Sequence, residues 1–373
     1  MSVLLLISPE SWDGHAVSKH HYAVELARRK HRVLFYGPPE HGGSLRVERV
    51  KSQHVEIEVV RGPKVAPGLR YMPTMIRRRL EATWLRKLEC IIGQNIDVVW
   101  LFENSRFFDM RFAGERLKIY HQVDLNQNFH PGIAARTADK VFCVTRRIQD
   151  KLASFEVNAV RIQHGLAFLE PSGDINPEGF VEAGINVVYV GNLSMKLIDK
   201  DSIINCIKKH TKVVFHFLGS RDDADLFQNH LRSYGNVRLH GKVASEHIQD
   251  FLAAADVLLL CYDSRYWLQA SNSHKLMEYL ASGKVVVASF TEEYKESSDL
   301  LAMAGLGDDF CALFDKVLAN LSYWNCADRQ EARKAFAENH TYDKQLDKIV
   351  ANLGPRGSIL LGSVQRNENE VVS

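Results

Sequence analysis

Short apolar runs alternate with amphipathic stretches along most of the chain. SVLLLIS at the N-terminus reads as a strand buried on both faces, Ala16 to Lys30 as an amphipathic helix and RVLFY as the next strand. Together they predict a βαβ unit. Further strands are predicted at VEIEVV (55–60), DVVWLF (97–102), KIYHQV (118–123) and VFCVT (141–145), with a long helix between Thr74 and Ile92. Runs rich in Val, Ile and Leu that are apolar on both faces suit a parallel sheet covered by helices.

The segment Pro171 to Gly184 holds two prolines and three glycines and reads as an interdomain linker. A second series follows: NVVYVG (186–191), KVVFHFLG (212–219), NVRLHG (236–241), DVLLLCY (256–262) and KVVVAS (284–289). Helices are predicted at Ser245 to Ala254, Ser273 to Ser282, Asp308 to Leu321 and Cys326 to Leu353, and a mobile tail from Gly354 onward. The expected fold class is α/β, two Rossmann-like, doubly wound parallel-sheet domains facing a cleft. Their expected limits are 1–170 for the first domain, 171–184 for the linker, 185–353 for the second domain and 354–373 for the tail. The last helix is a candidate to pack back on the first domain. In such sheets ligands bind beyond the carboxyl ends of the strands, so the strand-exit loops are where chemistry is expected.

Length and composition agree with this organisation: 373 residues exceed a single ordinary core, and 46% hydrophobic with 25% charged residues excludes wholesale disorder. The net charge of +2 conceals an imbalance. The first 170 residues carry 26 Lys and Arg against 18 Asp and Glu, a net of +8, and the rest carry 21 against 27, a net of −6. Six scattered cysteines without a CxxC pair argue against a zinc site or a disulfide frame and predict buried thiols in a reducing compartment. No apolar run approaches the roughly 20 residues of a membrane span, and the N-terminal run is too short for a signal peptide. The expected location is the cytoplasm, peripheral on the inner face of the membrane.

Cofactor fingerprints are missing. The first strand leads into SPESWDGHAVSKHH, with no GxGxxG, and no GxxxxGK[ST] occurs anywhere, which argues against NAD enzymes and P-loop ATPases. Asp13 and Gly14 lie in that first loop, either to hold part of a substrate or as a plain strand-to-helix turn. The most informative stretch is AADVLLLCYDSRYWLQASNSHKLMEYLASGKVVVAS (255–289), where a strand ends at Tyr262 and a helix opens near Ser273. A helix N-terminus and a lysine in its first turn, Lys275, suit a phosphate. Glu278 follows at i+3. Tyr262, Lys275 and Glu278 could together meet a base, a diphosphate and a sugar hydroxyl; a solvated surface lysine is the plain alternative.

This stretch resembles the donor-domain signature of GT-B glycosyltransferases, a strand ending "aDv", a loop, then "K..EyLA.G.pVv.s". NVRLHGKVASEHIQDFLAAAD resembles the segment that leads into it. Within the fold the likeness is to the glucuronosyltransferases of xanthan-type exopolysaccharide assembly, whose strand-end tyrosine and lysine bind nucleotide and diphosphate. The resemblance implies hexosyl transfer from a nucleotide-diphosphate donor, a UDP-sugar with a uronic acid as candidate, to a lipid-linked or polysaccharide acceptor. It implies no metal and no cofactor. The departures narrow it. Retaining members carry E-x7-E, but Ala270 stands where the first acid should be. In GNLSMK, Gly191 is followed by Asn192 where an arginine is usual, leaving Lys196, and Lys242 stands where the glucuronosyltransferases carry an acid. Donor-binding candidates are therefore Gly191, Asn192, Lys196, Lys242, Tyr262, Ser273, Lys275 and Glu278.

An inverting transfer needs one general base. The candidate is Asp124, after the strand KIYHQV, in the position similar to the proposed base of the glucuronosyltransferases; capping the next helix is its structural alternative. His121 is a rival, though at spacing three it points to the opposite face. His164, which ends AVRIQHG, joins Asp13 and Gly14 as an acceptor-side candidate, a structural histidine being the alternative. No histidine spacing suggests a metal. Finally, Arg61 to Lys87 holds eight basic residues and one acid, with apolar residues at 72, 76, 80, 84 and 88. Arg77, Arg78, Arg79 and Trp84 are the candidate contacts to an anionic membrane surface, against a helix that simply packs on the first domain. Nucleic acid is not expected. A sugar-nucleotide 2-epimerase of the same fold and a non-catalytic sugar-nucleotide-binding protein remain alternatives.

Overall fold

The computed structural model describes residues 1–14, 16–167, 177–220, 222–266, 273, 275–297 and 299–362. These form two compact units, residues 1–164 with 342–362 and residues 165–341. The first six residues of the expected linker, 171–176, lie outside the described residues.

The first unit is built on eight strands: β1 (Val3–Ile7), β2 (Arg32–Tyr36), β3 (Arg46–Ser52), β4 (Val55–Arg61), β5 (Val98–Leu101), β6 (Leu117–Gln122), β7 (Lys140–Cys143) and β8 (Val160–Arg161). Their order is β3-β4-β2-β1-β5-β6-β7-β8, parallel throughout except for the antiparallel β3–β4 pair. The central strand β1 is buried along its whole length, as its uninterrupted apolar run requires. β3 is absent from the expectation because RVERVKS is charged; it lies half-exposed at the edge and closes a hairpin through Gln53 and His54, both at positive φ.

The second unit holds β9 (Ile185–Val190), β10 (Val213–Leu218), β11 (Val237–Gly241), β12 (Val257–Leu260), β13 (Val285–Ala288) and β14 (Ala302–Met303), all parallel, in the order β11-β10-β9-β12-β13-β14. Alternate side chains of β9 feed two cores. Val187 and Tyr189 join Ile203, Cys206 and Phe314 on one face, while Val188 and Val190 join Leu276, Tyr279 and Leu280 on the other.

Two expectations for the C-terminal region need correction. The helix predicted over 326–353 is two helices, Ala327–Glu338 and Tyr342–Asn352. The second packs on Ser18–Arg28 in the first unit, where Arg29 donates to Asp343 at 2.5 Å and Asp347 at 2.7 Å. The expected mobile tail is ordered at its start: Gly354–Leu360 is a 3-10 helix with Gly357 and Leu360 buried. Residues 363–373 lie outside the described residues.

Candidate functional site

In the second unit three strand ends converge through glycines. The Gly191 N–H donates to the Leu218 carbonyl at 2.7 Å, and the Gly219 N–H donates to the Gly241 carbonyl at 2.8 Å. Gly191 has φ +149°, and a Cβ there would collide with the Lys275 ammonium. A Cβ on Gly219 would strike the Gly191 carbonyl. Absent side chains thus let Lys275 lie directly over the exit of β9, its ammonium 5.6 Å from the centre of the Tyr189 ring.

Lys275 opens the helix Lys275–Ala281, two residues later than expected. That helix is tied to β9 by the Val190 N–H, which donates to the Tyr279 hydroxyl at 2.8 Å. Lys275 and Glu278 are both half-buried, and neither forms a salt bridge among the described residues. Burial pulls the Lys275 ammonium down to about 8, against the opposing pull of Glu278. Burial likewise pushes the Glu278 carboxyl up to about 7. A cation and a carboxylate held this way, with no committed protein partner, are equipped to bind a ligand.

Tyr262 lies two residues beyond the end of β12, its hydroxyl 3.4 Å from that of Ser273, and its backbone N–H donates to the Ser289 hydroxyl at 2.9 Å. It borders a cavity of about 60 Å³ with Asp199, Asp263 and Gly305. Asn192, Lys196 and Lys242 are exposed on the loops after β9 and β11, the Asn192 amide oxygen accepting from the Ser194 N–H at 2.9 Å. Ala270 lies outside the described residues.

In the first unit Asp124 is exposed just beyond the end of β6. Its carboxylate has no hydrogen-bond partner among the described residues. The neighbouring protein nevertheless removes enough water to raise its pKa, with Lys19 opposing and Glu10 adding to the rise. Asp124 caps no helix, since the next one begins at Pro131 after His130. His121 is fully buried, stacked against Trp100 and Phe102, with its pKa lowered to about 3 by burial. A core imidazole in that position offers no base to a substrate.

Lys19 and Glu10 were not among the sequence candidates. Lys19 is buried, and its ammonium donates to Glu10 at 3.0 Å, while the Ser8 hydroxyl donates to the other Glu10 oxygen at 3.0 Å. The signal was present: a lysine in the first turn of a helix behind a strand exit, as at Lys275. Asp13 is exposed and paired with Arg61 at 2.9 Å. The Gly14 N–H donates to the Ser11 carbonyl at 3.2 Å, which also faces the His20 imidazole at 3.0 Å. The loop is therefore a braced turn. His164 is half-buried at the end of the first unit.

Two membrane candidates need correction. Arg77 is only 3% exposed; its guanidinium donates to Asp109 at 3.2 Å, lies 3.6 Å from Glu81 and sits over Phe108 at 3.8 Å. Trp84 is buried against Tyr36 and Phe107. The apolar stripe of this helix turns inward as it advances, so both residues serve the core. Arg78 and Arg79 stay accessible, beside Tyr71, Met75 and Ile76 at 75%, 69% and 51% exposure. No described helix is long and apolar enough to cross a membrane.

The family model described as "Glycosyl transferases group 1" matches residues 184–320. No curated protein matches the sequence. Among solved structures, the chain is similar to the sucrose-phosphate synthase (tll1590) from Thermosynechococcus elongatus, at TM-score 0.71 and 13% identity over 95% of this chain and 99% of that one. It is similar to the α,α-trehalose 6-phosphate synthase from Burkholderia multivorans at TM-score 0.68 and 11% identity, over 98% and 100% of the two chains. WaaG, a glycosyltransferase involved in lipopolysaccharide biosynthesis, aligns at TM-score 0.63 and 14% identity over 94% and 100%. With two parallel-sheet α/β units the chain has the GT-B fold of these glycosyltransferase structures, and its second unit carries the segment, residues 184–320, that matches the group 1 glycosyltransferase model.

Proposed function

We propose that the protein moves a sugar from a nucleotide-diphosphate donor, a UDP-sugar with a uronic acid as candidate, to a hydroxyl of a lipid-linked or polysaccharide acceptor. The observation that carries this is the Lys275 ammonium, half-buried over Gly191 without a salt bridge among the described residues. Such a cation at a strand exit suits the charge that develops on a departing diphosphate. Lys196, exposed on the neighbouring loop, adds a second cation. Glu278 is suited to accept a hydrogen bond from a sugar hydroxyl, and Tyr262 to border the nucleoside.

In this reading transfer inverts the anomeric centre. Asp124 takes the proton of the acceptor hydroxyl as its oxygen bonds to the anomeric carbon and the bond to the diphosphate breaks. A carboxylate whose pKa is raised by the water that neighbouring protein displaces is the stronger base for that step. The likeness to xanthan-type glucuronosyltransferases belongs here too, with Lys242 suited to a sugar carboxylate. Half-buried Arg78 and exposed Arg79, beside Met75 and Ile76, suit an anionic membrane surface on which a lipid-linked acceptor would be met.

The test is Asp124→Asn. Transfer is expected to fall by about a hundredfold or more, within the range that general-base catalysis supplies, while UDP-sugar affinity measured by calorimetry is retained. Undiminished transfer would place the base elsewhere. NMR of the product reads the anomeric configuration, and retention would overturn the inverting step. Conversion of donor without acceptor would instead identify an epimerase.

A further inference from the structure

The first unit contains a pocket of about 300 Å³ that none of these roles uses, walled by Tyr36, Val65, Ala66, Leu69, Tyr71 and Phe107. The polar side chains that reach it are already committed. Arg106 donates to Glu103 at 2.7 Å and to the carbonyls of Gly37 and Ser8, each at 2.6 Å, and the Ser105 hydroxyl donates to Glu103. Hydroxyls entering such a pocket would lose water without compensation. The interior therefore suits hydrocarbon and disfavours a sugar ring.

The mouth is different. Lys64 and Arg70 line the pocket, are exposed, and form no salt bridge among the described residues; Arg70 lies over the rings of Tyr71 and Phe129 at 4.9 and 5.5 Å. The exposed Tyr71, Met75 and Ile76 continue the apolar surface outward. The volume is at the lower end of the ligand-pocket range, enough for the first part of one chain and too small for a branched headgroup.

We propose that this pocket takes the hydrocarbon chain of a phosphate-bearing lipid, whose phosphate Lys64 and Arg70 meet at the rim. The inference rests on the acceptor reading for which lipid this is, namely the one that carries the acceptor saccharide. The binding itself requires no transfer.

The experiment is calorimetric titration of the full chain, without sugar donor, using octyl phosphate below its micelle concentration, octanol and inorganic phosphate. Octyl phosphate is expected to saturate and to bind at least about tenfold tighter than either half alone, since it both buries the chain and pairs the charge. Ala66→Trp, which fills the pocket, is expected to weaken it by about tenfold or more. The double variant Lys64→Glu, Arg70→Glu should bring octyl phosphate to the level of octanol and leave octanol unchanged; its positions are exposed, so it decides the matter if Ala66→Trp misfolds. Equal binding of inorganic phosphate and octyl phosphate would overturn the proposal. So would binding seen only with phosphatidylglycerol vesicles and indifferent to Ala66→Trp, which would move the lipid contact to Met75 and Ile76. If octyl phosphate fails while transfer to a soluble saccharide proceeds, the pocket is wrong and the transferase reading stands; octyl phosphate binding without transfer gives the reverse.

Discussion

Lys275 and Glu278 each favour the other's charged form while burial opposes both, and this makes the proposed donor site sensitive to pH. With its folded pKa near 8, Lys275 loses charge as pH rises through that value. UDP affinity is expected to weaken several-fold between pH 7 and 9, and Lys275→Arg, which stays charged, should flatten the dependence in a calorimetric series. Stability moves with opposite signs at the two residues. The folded chain holds the Glu278 proton above the unfolded value of 4.5, so stability falls as pH rises from there to about 7. It releases the Lys275 proton below the unfolded value of 10.5, so stability climbs from about pH 8 towards 10.5. Glu278→Gln should therefore stabilise the protein at pH 8, by up to about 3 kcal/mol for a shift of this size. Urea denaturation measures that gain, and transfer assays the accompanying loss of activity.

At the level of elements, the proposed donor site depends on strand ends that lack side chains. Gly191 and Gly219 occupy corresponding positions after β9 and β10, yet their substitution should fail differently. A methyl on Gly191 meets the movable end of Lys275 and strains a backbone at φ +149°, whereas one on Gly219 meets the backbone carbonyl of Gly191, which cannot yield cheaply. Gly219→Ala is expected to be the more destabilising, by about 1–3 kcal/mol, and Gly191→Ala to weaken UDP more than it lowers the melting temperature. Calorimetry and thermal melts on the pair separate the two effects. The long apolar strands and the Thr74–Ile92 helix were readable because burial on both faces, or on one stripe, leaves its period in the sequence. β3 and β14 were not, the first because its charged residues suit an edge, the second because two residues carry no period.

At the level of the whole chain, the connectivity crosses between units twice: the chain leaves the first unit after His164 and returns to it at Tyr342. Leu346, fully buried in the returning helix, completes the core against Ser18–Arg28. Leu346→Ala is expected to cost about 2–5 kcal/mol. In hydrogen exchange, protection should fall in Ser18–Arg28 and persist in Lys275–Ala281. By itself the sequence determined the two strand series, the parallel α/β class and the stretch 255–289 with Tyr262, Lys275 and Glu278, because these rest on local periodicity and strand-to-helix junctions. Only the tertiary structure decided which lysines and arginines are free. Lys19, Arg77 and Arg333 look like surface charges in a linear reading. Arg77 is taken up by Asp109, Lys19 by Glu10 and Arg333 by the carbonyls of Gly283, Leu300 and Trp324. A charge's role is set by partners distant along the chain, and no local pattern records them.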